Sequence, residues 1–227
     1  MLGPWMKEHG IKIGRDMFFL LLSKYNLLIR IRKKHKIRTT NSNHWLHKYP
    51  NLTIGLQLIR IEQLWVADIT YLKIKKEGFA YLAIITDAFS HKIVGYDLEL
   101  HMHTSLCLEA LSHALRFRNT TQKTLIHHSD RGAQYCSNEY TQLLRQNAIS
   151  ISMTQSGDPL ENPIAERVNG IIKNEYIKPL KPETFLQAKK LVGEAILKYN
   201  HERPHMSINY HTPAEIHFYN KKVKRVW

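Results

Sequence analysis

The sequence predicts an α/β fold, a mixed five-stranded sheet with helices on both faces, preceded by a small N-terminal helical piece. Three observations lead there. Residues 64–100 hold three runs rich in β-branched and aromatic residues, separated only by Glu77-Gly78 and Ser90-His91. From residue 104 onward the apolar spacing alternates between helical and strand periods. The excess basic charge sits at the N-terminal end, leaving a body of nearly balanced charge.

Taken in order, residues 15–25 follow a break at Gly10 to Gly14 and place Met17, Leu20, Leu21 and Tyr25 on one helical face. Arg30, Arg32, Lys33 and Lys34 then open a basic run suited to phosphate. Residues 39–60 are polar and read as a connector laid along the core, anchored by Trp45, Leu46 and Tyr49. The alternative for these rings is contact with nucleic-acid bases.

Strands are expected over 64–74, 79–88 and 92–100, and such short links dictate an antiparallel meander. Asp87, at the end of the second strand, is assigned to the turn, and Asp97 is expected to point outward. Thr104 should cap a helix over 105–118 with Leu106, Leu108, Ala110, Leu111, Ala114 and Leu115 inside. A strand over 124–128, a helix over 138–146 capped by Ser137, and a strand over 149–153 follow. Residues 154–162 form a turn-rich loop. Pro163, after Asn162 as cap, then opens a helix with Ile164, Ala165, Val168, Ile171 and Ile172 at helical spacing. Another helix over 183–200, capped by Thr184, precedes the basic tail at 221–225.

The chain has 227 residues, a net charge of +14 and a pI near 9.7. Residues 1–60 carry twelve Lys/Arg against Glu8 and Asp16, a net of +10, and the remainder carries +4. A basic arm beside a balanced body points to a polyanion, with DNA or RNA ahead of an anionic membrane. Cys107 and Cys136 lack metal-finger spacing and read as buried filler. The apolar run 17–22 is too short for an export signal, and nothing approaches a membrane span of roughly 18–20 apolar residues. A cytoplasmic location is expected.

Three carboxylates carry the chemical signal. Asp68 is the only charge in the run Leu64 to Leu72, where a lone buried acid is costly unless paired or bound to metal. Asp130 stands at a strand exit two residues before Gly132. Glu166 lies in the first turn of a helix, with 35 residues between it and Asp130. Hard oxygen donors without a Cys or His pattern suit magnesium or manganese. Two such ions support phosphoryl transfer. His128 has the same strand parity as Asp130 and is expected to support that ligand. Arg131, Gln134 and Tyr135 are placed to position substrate. Lys173, seven residues after Glu166, should share its helix face, flanked by Arg167 and Asn169.

The segments W-V-A-D-I-T-Y-L, H-S-D-R-G-A-Q-Y and N-P-I-A-E-R-V-N-G-I-I-K-N-E together resemble the DDE catalytic core of insertion-sequence transposases, in particular the IS-three family, relatives of retroviral integrases. The likeness runs over nearly the whole chain. It implies an RNase H-like core, with Asp68, Asp130 and Glu166 as catalytic metal ligands. The implied activity is metal-dependent DNA strand cleavage and strand transfer, acting on element ends and target as a homo-oligomer on DNA. The alternatives are an RNase H-like nuclease that only hydrolyses, or a non-catalytic DNA-binding regulator of the element. Lys173 resembles the lysine such enzymes place on DNA near the cut.

The implied layout is a helix-turn-helix remnant over 1–38, a connector over 39–60, the catalytic core over 61–178, and a C-terminal helix and tail over 179–227. The family's upstream recognition helices are expected to be absent or supplied by an upstream frame. Glu161-Asn162 stands where relatives often carry Asp-Asn. Tyr199-Asn200-His201-Glu202-Arg203-Pro204-His205 and Thr212-Pro213-Ala214-Glu215 resemble family segments whose expected role is to clasp the core.

Overall fold

The computed structural model describes residues 10, 12–28, 44–118, 124–155 and 161–219. Arg30, Arg32, Lys33, Lys34 and the basic tail lie outside them. Two compact units emerge, Met1–Arg38 and Thr39–Trp227. The described part of the first is helix α1, Arg15–Lys24, none of whose residues is buried.

The second unit holds the sheet. Strands β1 (Leu64–Ile74), β2 (Gly78–Asp87) and β3 (Ile93–Glu99) form the expected antiparallel meander. Helix α2 (Thr104–Arg116) leads to β4 (Leu125–Ser129), which pairs with β1 in parallel. A short helix α3 (Ala133–Cys136) and helix α4 (Asn138–Gln146) lead to β5 (Ile149–Met153), parallel to β4. The strand order is β3-β2-β1-β4-β5. Helix α5 spans Pro163–Ile171 and continues without a break as a π-helix, Ile172–Ile177. Helices α6 (Phe185–His201) and α7 (Pro213–Tyr219) complete the unit.

Alternation along β1 divides the core. Trp65, Ala67 and Ile69 face a cluster with Leu106, Leu111, Tyr140 and Leu144, so α2 and α4 cover that side. Leu72 and Ile74 join Val168, Ile172, Val192 and Ile196 on the other side, under α5, the π-helix and α6. Leu64 and Val66 pack there against Ala165. Each fully buried large side chain contributes roughly 1.5–3 kcal/mol. Asp68 has the parity of Leu64 and Val66, so it faces α5. At Gly95 a Cβ would sit 2.2 Å from the Ala110 carbonyl, so glycine lets α2 lie directly on β3.

Several local details differ from expectation. Thr104 begins α2 instead of capping it, and His103 takes the cap position without a side-chain bond. Ser137 and Thr184 do cap, each accepting from the backbone N–H three residues on. Asp97 is buried, 3.7 Å from Lys189 on α6, because β3 is covered on that side. In the connector Leu46 and Tyr49 pack on the core, but Trp45 is 90% exposed and anchors nothing. Both cysteines are buried and free. Among the described residues no helix is long and apolar enough to cross a membrane.

Candidate active site

Val66 pairs with His128 in the parallel β1–β4 ladder. Two residues further along stand Asp68, still within β1, and Asp130, just past the end of β4. The register brings them to one level. Asp68 is partly buried, and its carboxylate accepts from the Ile69 N–H (2.9 Å) and from Asn169 Nδ2 (2.8 Å). Burial first, then the charge of Asp130, raises its pKa to about 7, and Glu166 adds a smaller push in the same direction. The Asn169 and Ile69 bonds favour the anion and limit the rise. Asp130 Oδ1 accepts from the Gly132 N–H at 2.9 Å. A Cβ on residue 132 would lie 3.0 Å from that oxygen, so glycine keeps the turn tight against the carboxylate.

Glu166 comes to this edge on α5. Asn162 occupies the N-cap position, yet its side chain does not cap; Nδ2 donates to the Ala67 carbonyl at 3.0 Å. That bond ties the start of α5 to the residue preceding Asp68. Glu166 is exposed, one turn before the Asn169 that holds Asp68. Among the described residues, no three His, Cys, Asp or Glu side chains are gathered closely enough to enclose an ion. Asp68 and Asp130 converge; Glu166 acts on Asp68 electrostatically from the rim. The donors are all carboxylate oxygens, the type magnesium and manganese take, and the raised Asp68 pKa is what an added cation would reverse.

The surrounding groups divide. Asn169, expected on the DNA-facing surface, is buried against Asp68. Its signal was present, because it shares the helical stripe of Ala165, Val168 and Ile172. Arg167 is exposed. Lys173 lies in the π-helix that continues α5, and its Nζ sits 3.3 Å from the centroid of the Tyr71 ring. Partial burial, with Lys178 nearby, lowers its pKa to about 8. Arg131 is partly buried, and its carbonyl lies 2.8 Å from His44 Nε2.

His128 does not reach the carboxylates through any described hydrogen bond. Its Nε2 is 3.1 Å from the Glu161 carbonyl and its Nδ1 is 2.8 Å from Ser152 Oγ. The carbonyl can only accept, so Nε2 carries the hydrogen. In the neutral ring Nδ1 then accepts from Ser152, whose oxygen takes the Leu52 N–H at 2.8 Å. Burial lowers the His128 pKa and favours this neutral form. The ring thus holds one end of the loop before α5, and the Glu161 carboxylate accepts from the Gln155 N–H at the other end.

The rival acid Asp87 is fully buried and closes its turn, accepting from Ser90 N–H and Oγ and from the Glu62 N–H, each at 2.7 Å. Ser90 Oγ also meets His217 Nδ1 at 3.0 Å, which docks α7. The C-terminal motif is a clasp in its contacts. Asn200 bonds both the N–H and the carbonyl of Ile93, and the Tyr199 hydroxyl donates to the His91 carbonyl. Arg203 forms a bidentate pair with Glu175 in the π-helix (2.8 and 3.1 Å).

The five-stranded mixed sheet, in the order β3-β2-β1-β4-β5 with helices on both faces, is an RNase H-like core. The fold is similar to the simian T-cell lymphotropic virus intasome in complex with PP2A regulatory subunit B56 gamma. That match has a TM-score of 0.60 and 20% identity, over 91% of this chain and 71% of that one. The HTLV-2 integrase catalytic core domain in complex with magnesium matches with a TM-score of 0.55 and 22% identity, over 71% and 99%. Two family models, both described as Integrase core domain, match residues 60–159 and 147–213.

Among curated proteins, the insertion element IS600 31 kDa protein of Shigella sonnei is 36% identical over 92% of this chain and 76% of its own length. The transposase for insertion sequence element IS629 of the same organism is 32% identical over 92% and 69%. The chain belongs to the insertion-sequence transposases with an integrase core, and is a polynucleotidyl transferase of the DNA transposase/integrase type.

Proposed function

We propose that Asp68, Asp130 and Glu166 carry the chemistry of this transposase, in a member of the IS-three group acting on DNA as a homo-oligomer. The observation that carries the reading is the convergence of Asp68 and Asp130 at the β1–β4 edge, with Glu166 delivered by α5. Water attacks a phosphodiester at the element end, the P–O3′ bond breaks, and a 3′-hydroxyl is released. That hydroxyl then attacks a target phosphodiester and displaces its 3′-oxygen, with one proton leaving each attacking oxygen. Two magnesium or manganese ions, when bound to the three carboxylates, supply the charge that activates the attacking oxygen and stabilises the leaving one.

The chain's own groups do the positioning. Asn169 and the Ile69 N–H orient Asp68, the Gly132 N–H orients Asp130, and Asn162 fixes the start of the Glu166 helix. Lys173, Arg167 and Arg131 are the candidate DNA contacts of the core. Arg30, Arg32, Lys33 and Lys34 extend the contact along phosphates. The setting is the bacterial cytoplasm at the nucleoid. The test uses the purified chain, magnesium and a labelled element-end duplex with a target oligonucleotide. Joined product is expected. Cutting without joining would indicate a nuclease, and binding alone a regulator.

A further inference from the structure

A groove of about 550 Å³ opens beside α3, lined among others by Trp45, Met102, His103, Gln134 and Asn138. It has two features that the carboxylate chemistry does not use. The first is Trp45, an indole 90% exposed on a connector whose neighbour Leu46 packs on the core. The second is the anchor of that connector: His44, adjacent in sequence, bonds the carbonyl of Arg131, the residue following Asp130. The connector is therefore tied, one residue before Trp45, to the segment that carries a proposed catalytic acid.

The groove and α5 lie on opposite sides of the sheet. Tyr135 and Cys136 of α3 pack in the cluster under α2 and α4, whereas Val168 of α5 packs in the other cluster. Asp68, within β1, and Asp130, just past β4, belong to the sheet between them. A strand transferase presents two DNA segments to one set of carboxylates, and the exposed Arg167 and partly exposed Lys173 lie on the α5 side of the sheet. The second segment needs a separate surface. The groove is polar and of mixed charge: Gln134, Asn138 and Glu139 line it, His103 in its lining stacks on His101 at 5.4 Å, and Lys48 and Arg131 offset the charge of Asp130 at neighbouring Cys136, so its exposed indole is the feature suited to a base.

We propose that Trp45 is a stacking platform for a base of the target DNA strand. This rests on the reading of Asp130 as catalytic and goes beyond it by assigning the target side of the site. An exposed indole offers a flat face to any base, so it adds affinity with little sequence preference.

The test compares Trp45→Ala and Trp45→Phe in the full chain with magnesium, reading element-end cutting and joining to a target oligonucleotide separately. Quenching of tryptophan fluorescence by a single-stranded oligonucleotide, read in a Trp5→Phe and Trp227→Phe background that leaves Trp45 and the buried Trp65, gives a readout independent of activity. Trp45→Ala is expected to lower joining about tenfold through a raised KM for target, with cutting within about twofold. Trp45→Phe keeps joining within about threefold, and the exposed-indole quenching disappears in both variants. Unchanged joining in Trp45→Ala, equal loss of cutting and joining, or equal loss in both variants would each overturn the assignment. Wild-type protein that neither cuts nor joins would instead refute the proposed catalytic reading, and oligonucleotide quenching would still report on Trp45.

Discussion

Asn169 Nδ2 donates to Asp68 Oδ2 at 2.8 Å, linking the helix that carries Glu166 to the strand that carries the first aspartate. The bond makes the position of α5 and the orientation of Asp68 one structural fact. It also favours the ionised carboxylate against the burial that opposes it. Asn169→Ala should therefore lower strand cutting by about tenfold or more, since a charge-assisted bond is worth roughly 1.5–3 kcal/mol. DNA affinity should stay within about twofold. The acid limb of the pH–rate profile should move upward, because Asp68 loses a group that holds its pKa down. An unmoved limb would mean that Asn169 only fills space.

Lys173 sits over Tyr71 with its pKa lowered to about 8. Its charge is lost as pH rises through that value. DNA affinity should fall between about pH 7 and 9, a range in which a solvated lysine of pKa about 10.4 stays charged. Lys173→Arg should flatten that fall, as guanidinium keeps its charge. A pH dependence identical in Lys173→Arg would place the titrating group elsewhere.

The Arg203–Glu175 pair couples the C-terminal motif to the π-helix, with side chains 10% and 35% exposed. Arg203→Ala should cost about 1–3 kcal/mol, between the exposed and buried limits for an ion pair. Exchanging the two charges, Glu175→Arg with Arg203→Glu, should recover part of the loss. Denaturant midpoints of the single and double variants check this, and additive losses would show that the two side chains do not interact.

Three histidines make the fold sensitive to acid. Burial lowers the pKa of His127 to about 3, His205 to about 3 and His217 to about 4. Unfolded histidine takes up its proton near pH 6.5. Below that pH the unfolded chain binds more protons than the folded one, so stability falls as pH drops from about 6.5 toward 4. Asp68, raised to about 7, works in the opposite direction, because the folded chain keeps a proton that the unfolded chain releases. Thermal melts over this range should show a shallower slope in His217→Gln and a steeper one in Asp68→Asn. The reverse order would contradict these assignments.

Much of this was legible in the sequence for physical reasons. The β-branched runs, short turns and helical stripes fix a meander followed by alternating helices and strands, and a lone acid in an apolar strand marks Asp68. What was not legible depends on contacts between distant residues. Asn200 reads the Ile93 backbone 107 positions away, and no local pattern announces that. The conversion of α5 to a π-helix at Ile172 is likewise not announced by the apolar spacing. Trp45 looks like a core anchor by composition; only the fold shows its ring exposed.

The assignment of the third carboxylate is the central claim, since Glu161 and Glu166 lie five residues apart and both flank the loop. Glu161 closes the loop on Gln155, while Glu166 acts on Asp68 from α5. The most direct measurement is magnesium- and manganese-dependent strand cutting and joining by Asp68→Asn, Asp130→Asn, Glu166→Gln and Glu161→Gln, alongside DNA binding. Loss of both reactions in the first three, with DNA binding retained and Glu161→Gln active, is the predicted result. Activity in Glu166→Gln with its loss in Glu161→Gln would contradict it.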